Sequence, residues 1–357
     1  MVKYIGKKIW YGLWVFWGVI TLIFFLFKVL PGDPARMMLG QRADISSVEA
    51  IQKELGLDRS YWVQYINYLN DISFVSVHKH SNEDSFFYLD HQKYTAQTLI
   101  TIGDKSVVVK SPYLGRSFQS GRKVSDILAE SFPLTLLLAV VAILFAMIIG
   151  IFLGVLTSIN PDGWVSRTII GFSAIGVALP SFFAAVLIAW IFAYILGEYT
   201  GLNMTGSFKE VDDFGRGEYI QIKNIILPAI TLGIRPLAIV VQLTRSSLLN
   251  VLSQDYIRTA RAKGLSKYRV ITRHALKNAM NPVITAISGW FASLLAGAVF
   301  VEYVFDWKGL GVVIVDSLEH YDFPVIMGSV LLISVMLVII NIVVDILYGV
   351  IDPRVRY

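Results

Sequence analysis

Positive charge is concentrated in one short part of the sequence. Residues 255–282 read DYIRTARAKGLSKYRVITRHALKNAMNP and are called the basic segment below. Against the single acid Asp255 it carries seven cations: Arg258, Arg261, Lys263, Lys267, Arg269, Arg273 and Lys277. Such side chains can set membrane topology, contact anionic lipid or hold a protein partner. Nucleic acid is a weaker fit, because the segment has few aromatic residues and no room for a separate domain.

Other polar residues interrupt apolar stretches of the sequence. Arg235 stands beside Pro236, and a charge at membrane depth costs at least about 2.5 kcal/mol and must face a cavity or a partner. Two interpretations stay open: it meets a ligand carboxylate, or it binds backbone groups freed by Pro236. Asn341 and Asp345 lie four residues apart on one predicted helix face, a spacing that favours hydrogen bonds between packed helices.

Catalytic and metal-binding patterns are absent from the sequence. No stretch reads GxxxxGK[ST], HExxH or GxSxG. The absence of cysteine excludes a disulfide framework, a thiolate metal site and a cysteine nucleophile. His78, His80 and His91 lie close in sequence but lack a convincing fourth ligand, so we predict no metal site and no cofactor in this chain.

The composition indicates whether the segments that hold these residues lie in water or in a lipid bilayer. The chain has 357 residues, of which 55% are hydrophobic and 16% charged. A helix needs about 20 mostly apolar residues to cross a bilayer. Six stretches meet this test, so the sequence predicts an all-α integral membrane protein with spans at about 9–30, 132–157, 168–196, 225–249, 283–301 and 325–350.

Lysine and arginine then predict the orientation. Lys3, Lys7 and Lys8 precede a first apolar run that is too long for a signal peptide, so we expect a retained anchor with a cytoplasmic N-terminus. Six spans place residues 158–167, 250–282 and the C-terminal tail inside, and residues 31–131, 197–224 and 302–324 outside. The positive-inside rule agrees, because the basic segment lies inside while acids outnumber cations in the shorter outside loops.

The domain organisation follows from these spans. Residues 1–30 hold the N-terminus and the first span, 31–131 a small extracytoplasmic α+β domain, and 132–357 the transmembrane core. The α+β domain is predicted to have two short helices and then a hairpin that turns at Gly103 and Asp104.

The basic segment itself predicts a helix, a break and a second helix. Asp255–Ala262 favours helix, Gly264 supplies a stop, and Ser266 can cap a helix that runs from Lys267 to about Met280, ahead of Pro282. Ile257, Ala260 and Gly264 share a face of small and apolar residues, which permits close approach of another backbone.

Several collinear motifs resemble one family across most of the chain. The basic segment closely resembles the conserved cytoplasmic loop of ABC importer permeases, in the form used by the dipeptide and oligopeptide branch. LPGDPARMMLG, ALPSFF, LPAITLG, LTRSSLLNVL, VEYVFDWKGLG and IDPRVRY look like other family segments. Residues 74–112 depart from the family pattern. They form an insert, and the resemblance implies nothing about its role.

The resemblance implies a type I ABC importer permease fold and a function. A coupling helix would dock on a cytoplasmic ATPase through Thr259, Ala260, Arg261, Ala262, Lys263, Gly264 and Leu265. The expected partners are a second homologous permease, two ABC ATPase subunits that use ATP and magnesium, an extracytoplasmic binding protein and membrane lipid. The expected cargo is a di- or oligopeptide, and the expected location is a bacterial or archaeal inner membrane.

Alternatives within and outside this class remain at the level of sequence. Relatives in the wider family carry nickel chelates or glutathione, so the cargo stays open. A membrane-embedded enzyme would need clustered acids or nucleophiles at membrane depth, and the spans have only isolated polar groups. A secondary transporter is disfavoured because no inverted repeat is visible.

Overall fold

The protein forms two compact units. The computed structural model describes residues 2–29, 44–54, 56–79, 88–89, 93–212, 215 and 217–351. One unit, called the core unit below, comprises Ser131–Val315 and Met336–Tyr357 with the first five residues. The other, called the N-terminal unit, comprises Gly6–Glu130 and Asp316–Val335.

Helices dominate both units. In chain order they are α1 (Val2–Val29), α2 (Ile45–Glu54), α3 (Tyr61–Ile72), α4 (Val124–Ile159), α5 (Trp164–Ala178), α6 (Ser181–Ile188), α7 (Gly197–Thr200), α8 (Ile226–Leu252), α9 (Asp255–Ala262), α10 (Lys267–Arg269), α11 (Leu276–Phe305), α12 (Leu310–Glu319) and α13 (Phe323–Ile351). Wider π-helical turns follow α6 at Ala189–Ile195 and α10 at Val270–Ala275, and a 3-10 turn at Ile222–Ile225 leads into α8.

The described helices can supply up to six membrane spans. Four stretches are long and apolar enough by themselves: Gly6–Phe27, Val124–Ile159, Ile222–Leu252 and Phe323–Val344. Two bent helix pairs raise the number to six if each pair is one span. The predicted positions are therefore matched, but two of the spans are not straight helices.

The third predicted span, 168–196, is broken near its middle. Trp164–Ala178 and Ser181–Ile195 meet at an angle of 117°. Leu179 has extended backbone angles, φ −70° and ψ 132°. Pro180 explains the break, because its ring disfavours helix at the preceding residue and it has no N–H to donate.

The helix after Ser266 also differs from its prediction. It does not end before Pro282, since α11 runs through that residue. Val283 and Ala279 on either side are fully buried. Packing of these apolar residues keeps the chain helical past the missing N–H, as is common in membrane helices. A bend of 57° separates Lys267–Leu295 from Gly297–Phe305.

A small sheet lies between the first two spans. Its strands are β1 (Val75–Lys79), β2 (Ala96–Ile102) and β3 (Lys105–Lys110), in the order β1-β3-β2 and antiparallel. The predicted hairpin is present, and Gly103 has the positive φ of +60° that its two-residue turn needs. Strand β1 was not predicted. A further hairpin joins β4 (Lys209–Val211) and β5 (Glu218–Ile220).

Close contact between α4 and α8 organises the core unit. A side chain on Gly150 would meet Val240 at 2.8 Å, and one on Gly154 would meet Thr244 at 2.5 Å. This GxxxG spacing lets two helix backbones approach closely, which gives apolar helices their packing energy in lipid. Leu138, Ala142, Leu227 and Val240 are among the buried residues of this contact.

One long-range connection in the N-terminal unit depends on a buried acid. Asp322, in the loop before α13, is buried. Its carboxylate accepts hydrogen bonds from Ser117 Oγ at 2.5 Å and from the Phe118 N–H at 3.0 Å. Asp322 therefore fixes the segment before α4 to the segment before α13. His320, by contrast, is exposed.

Candidate docking site

The basic segment forms a short helix, a turn and a second helix, as its sequence predicts. Gln254 is extended ahead of α9, and the helix ends where Lys263 and Gly264 bond back to Thr259 and Arg261. Gly264 has φ +80°, and a side chain there would meet nothing within 4 Å. The glycine is thus required by backbone conformation alone. Ser266 Oγ accepts the Arg269 N–H at 3.4 Å and begins α10.

The inner face of α9 is filled by the chain itself. Ile257 is fully buried and Ala260 is 7% exposed. They belong to a cluster with Leu248 of α8, with Val270 and Ala275 of the π turn, and with Ala279 of α11. The close backbone approach that the small residues permit is therefore made by neighbouring helices of this protein. Gly264 is exposed and does not belong to this cluster.

The outer face of α9 presents charge. Arg258, Thr259, Arg261, Ala262 and Lys263 are exposed, and Leu265 is half-buried. Arg258 pairs with Asp255 at 3.4 Å, but both side chains are largely exposed and such a pair contributes about 0–1 kcal/mol. Within the part of the chain that the structure describes, Arg261 and Lys263 have no acidic partner. Their donors are available for contact with another molecule.

Two loops meet at this end of the core unit. Lys267 Nζ donates to the Ile159 carbonyl at 3.2 Å, and Arg245 Nη2 donates to the Pro161 carbonyl at 3.3 Å. These bonds join the basic segment and α8 to the α4–α5 connection. The two loops that the sequence assigns to the same side of the membrane thus lie at the same end. Lys267 takes part in this contact between the two loops, whereas Arg261 and Lys263 do not.

Arg235 lies where the third span breaks. Its Nη2 donates to the Val177 carbonyl at 3.4 Å, one residue before the end of α5. The side chain is exposed in the single chain. The backbone group that it contacts is adjacent to the break at Pro180 rather than to Pro236. One long hydrogen bond leaves several guanidinium donors for a ligand, so the carboxylate interpretation stays a prediction.

The remaining sequence-predicted residues are not brought together. Asn341 is exposed on α13, and the side chain of Asp345 lies outside the described residues, so their packing role stays a prediction. His80 and His91 also lie outside the described residues. His78 is buried, with Nε2 2.9 Å from Ser76 Oγ, and burial lowers its pKa. Among the described residues no cluster of ligands could hold a metal.

A buried carboxylate at the other end of the core unit was not singled out from the sequence. Glu302, near the end of α11, is fully buried, and its Oε2 accepts the Gly311 N–H at 2.6 Å. Thr135 Oγ1 of α4 accepts the next N–H, from Leu310, at 2.8 Å. Side chains on Gly309 or Gly311 would approach Glu302 Oε2 to 2.5 and 2.7 Å. The glycines of VEYVFDWKGLG were the available signal.

Trp307 packs in the same region, which comprises Thr135, Glu302, Trp307, Leu310 and Gly311 and is called the Glu302 end below. It is fully buried, and its indole Nε1 donates to the Leu134 carbonyl at 3.0 Å. The Gly206 N–H donates to the Phe305 carbonyl at 2.8 Å, and Ser207 Oγ accepts from the Lys308 N–H at 3.2 Å. The loop before α8 is thereby bonded to the loop after α11, which the sequence assigns to one side.

These features define a multi-span helical membrane protein with a charged, exposed surface at one end. The chain belongs to the family of binding-protein-dependent transport system inner membrane components, whose model matches residues 146–357. The N-terminal model of the same transport system membrane components matches residues 1–86.

Similar proteins are transport permeases. The chain is 35% identical to a dipeptide transport system permease protein of Escherichia coli strain K12, over 374 residues that cover all of this chain and 99% of the relative. It is 31% identical to a dipeptide permease of Alkalihalophilus pseudofirmus and 33% identical to a glutathione transport system permease protein of Escherichia coli strain K12, each over the full length of both chains.

The fold also resembles a solved transporter. An inward-facing structure of the MetNI methionine ABC transporter matches with a TM-score of 0.51 at 17% identity, covering 63% of this chain and 96% of that one. At this identity the likeness shows the fold alone, which is the type I ABC importer permease fold. The expected family and fold are both confirmed.

Proposed function

We propose that this chain is the permease subunit of an ATP-driven importer and that α9 with Gly264 is its coupling helix. The observation that carries the proposal is the division of α9 into two faces. The inner face is fixed by buried Ile257 and Ala260, and the outer face offers Arg261 and Lys263 without partners in the described chain. A helix held this way transmits a push or pull to α8 and α11, on which it rests.

The proposal includes the partners that move this helix. Two ATPase subunits with bound ATP and magnesium would dock here, and a second permease would complete the path. ATP must bind one arrangement of the subunits better than another for a shift to occur. The permease would lie in an inner membrane, with the basic segment and both termini facing the cytoplasm. The Glu302 end would then face the extracytoplasmic binding protein. Asn341, exposed in the single chain, is available for the second permease.

Peptides are the cargo that we propose. Two relatives over 30% identical along the whole chain are dipeptide permeases. The glutathione permease is nearly as similar and supports a second candidate, which is itself a small peptide. Arg235 would meet the carboxylate that both cargoes carry, since its exposed guanidinium retains free donors.

Gly264 provides the test of coupling. Gly264→Pro fixes φ near −65°, which is incompatible with +80°, whereas asparagine tolerates the left-handed region. In vesicles that contain the whole transporter, Gly264→Pro is expected to abolish dipeptide uptake while ATP hydrolysis continues. Gly264→Asn is the matched control and should retain most uptake. Normal uptake by the proline variant would contradict the proposal.

Arg235 provides the test of the path. Arg235→Ala should raise the dipeptide concentration needed for half-maximal uptake, while a peptide with an amidated carboxyl terminus is affected less. Arg235→Lys, which keeps the charge, is the control. An equal change for both peptides would assign Arg235 to structure at the break after Val177 instead.

A further inference from the structure

Helix α3 has an aromatic side and a polar side. Tyr61, Trp62, Tyr65, Ile66 and Leu69 occupy one continuous side of the helix. Gln64, Asn67, Asn70 and Asp71 lie on the opposite side. Sequence alone assigns this helix to a domain in water, but three of its large apolar side chains are open: Tyr61 is 63%, Trp62 68% and Ile66 52% exposed.

The aromatic side of α3 contacts the first span, α1, a few residues before the end of its apolar stretch. Tyr65 Oη lies 2.6 Å from Thr21 Oγ1, and its ring is 5.3 Å from that of Phe24. Trp62 is 6.0 Å from Phe25. The apolar stretch of this span ends at Phe27. With a rise of about 1.5 Å per residue, Thr21 lies about 9 Å inside that end.

Apolar packing between α3 and α1 extends beyond these contacts. Tyr68, Leu69 and Ile72 of α3 belong to one cluster with Ile20 and Ile23 of α1. Tyr61, Trp62 and Ile66 are not members of that cluster, and they form the open part of the aromatic side.

The polar side contacts the rest of the N-terminal unit. Asp71 accepts hydrogen bonds from Lys93 at 3.1 and 3.2 Å and from Tyr94 Oη. Asn70 bonds the backbone of Val77 at the start of the sheet, and Gln64 Nε2 donates to the Arg59 carbonyl at 2.7 Å. Gln64, Asn70 and Asp71 are thus bonded to protein, and the most exposed side chains of α3 are the apolar ones.

We infer that α3 is a membrane-interface helix whose exposed side, Tyr61, Trp62 and Ile66, lies in the boundary between lipid headgroups and acyl chains. The occupant is lipid because this side continues a surface that is already exposed on the span, where Leu22 is 64% and Leu26 51% exposed. Tyrosine and tryptophan are the residues that favour this boundary. The helix anchors the N-terminal unit to the bilayer beside the first span. The inference does not depend on cargo or on coupling.

The chain offers a clean test because it has no cysteine. Ile66→Cys and Asn67→Cys place a bimane label on the apolar and on the polar side of α3, about 100° apart around the helix. The labelled full-length chain is placed in nanodiscs with phospholipids that carry a nitroxide near the headgroup end of the acyl chain. We expect quenching by the lipid nitroxide to be at least threefold stronger at position 66 than at 67, and quenching by aqueous iodide to show the reverse order.

Two outcomes would overturn the inference. In one, the label at position 66 is quenched by iodide as strongly as that at 67 and is insensitive to the lipid nitroxide. In the other, the label at 66 is shielded from iodide only after the other transporter proteins are added, which would assign this side to a protein contact. Retention of the unfolding temperature in both variants shows that the labelled chains are folded.

Discussion

The two ends of the core unit differ in the exposure of their ionisable side chains. At the basic segment, Arg261 and Lys263 are exposed and unpaired in the described chain, while apolar Ile257 is buried beneath them. At the Glu302 end, a carboxylate and Trp307 are buried, and their hydrogen bonds connect α4, α11 and α12. Exposed charge has little effect on folding and is free for a partner. A buried carboxyl group needs hydrogen bonds inside the protein, and the bond from the Gly311 N–H to Glu302 Oε2 fixes the structure around it.

The first way to break this comparison is to remove the buried carboxylate. Glu302→Ala leaves the Gly311 N–H without an acceptor and opens a cavity, so we expect a loss of about 3 kcal/mol in unfolding free energy. This corresponds to a fall of roughly 5–10 °C in unfolding temperature in detergent. Glu302→Gln keeps an acceptor oxygen and should lose less.

Glu198→Ala serves as the control for that loss. Glu198 is an exposed acid of the same unit, and its removal should leave the unfolding temperature unchanged. Equal stability of Glu302→Ala and Glu198→Ala would mean that the buried carboxylate does not fix the Glu302 end.

The second test concerns the exposed cations. Arg261→Glu combined with Lys263→Glu should leave the unfolding temperature within about 1 °C, because neither side chain has an acidic partner among the described residues. ATP-dependent uptake is expected to fall about tenfold, or about 1.4 kcal/mol, since like charges across an interface repel. Lys223→Glu at the opposite end is the control. Unchanged uptake in the double variant would remove the docking role.

The third and smallest effect concerns a buried cation of the N-terminal unit. Lys110 is 3% exposed, its Nζ donates to the Asp71 carbonyl at 2.5 Å, and it lies 4.5 Å from the Tyr94 ring centre. Burial lowers its pKa from 10.5 to about 8, although Asp71 raises it. Between pH 8 and 10.5 the unfolded chain binds more protons than the folded one, so stability rises with pH.

Lys110→Met should remove that rise. Limited proteolysis of the sheet at pH 7.5 and 9.5 measures it, as the ratio of cleavage rates between the wild-type protein and the variant. Protection of the wild-type sheet should improve relative to the variant at the higher pH. A ratio that does not change with pH would show that burial does not lower the pKa of Lys110.

Local patterns explain which predictions succeeded. The order of helix, glycine and helix in the basic segment depends on Gly264 and Ser266 and their immediate neighbours, and the hairpin depends on Gly103 and its flanking residues. Pro180 explains why the third span breaks, but the size of the bend, 117°, depends on what each half of the span packs against. The continuation of α11 through Pro282 could not be predicted, because burial of Ala279 and Val283 outweighs the tendency of proline to end a helix.

The sequence by itself determined that this protein belongs in a membrane, that up to six apolar stretches cross it, and that one cationic helix ends at a glycine. These follow from composition and from residues within a few positions of each other. Only the tertiary structure decided that Ile257 is covered while Arg261 is open, that Glu302 bonds across to Gly311, and that α3 lies against α1. Asp322 and Ser117 are 205 residues apart. Burial and hydrogen bonding depend on which distant helices meet, and no local pattern encodes that choice.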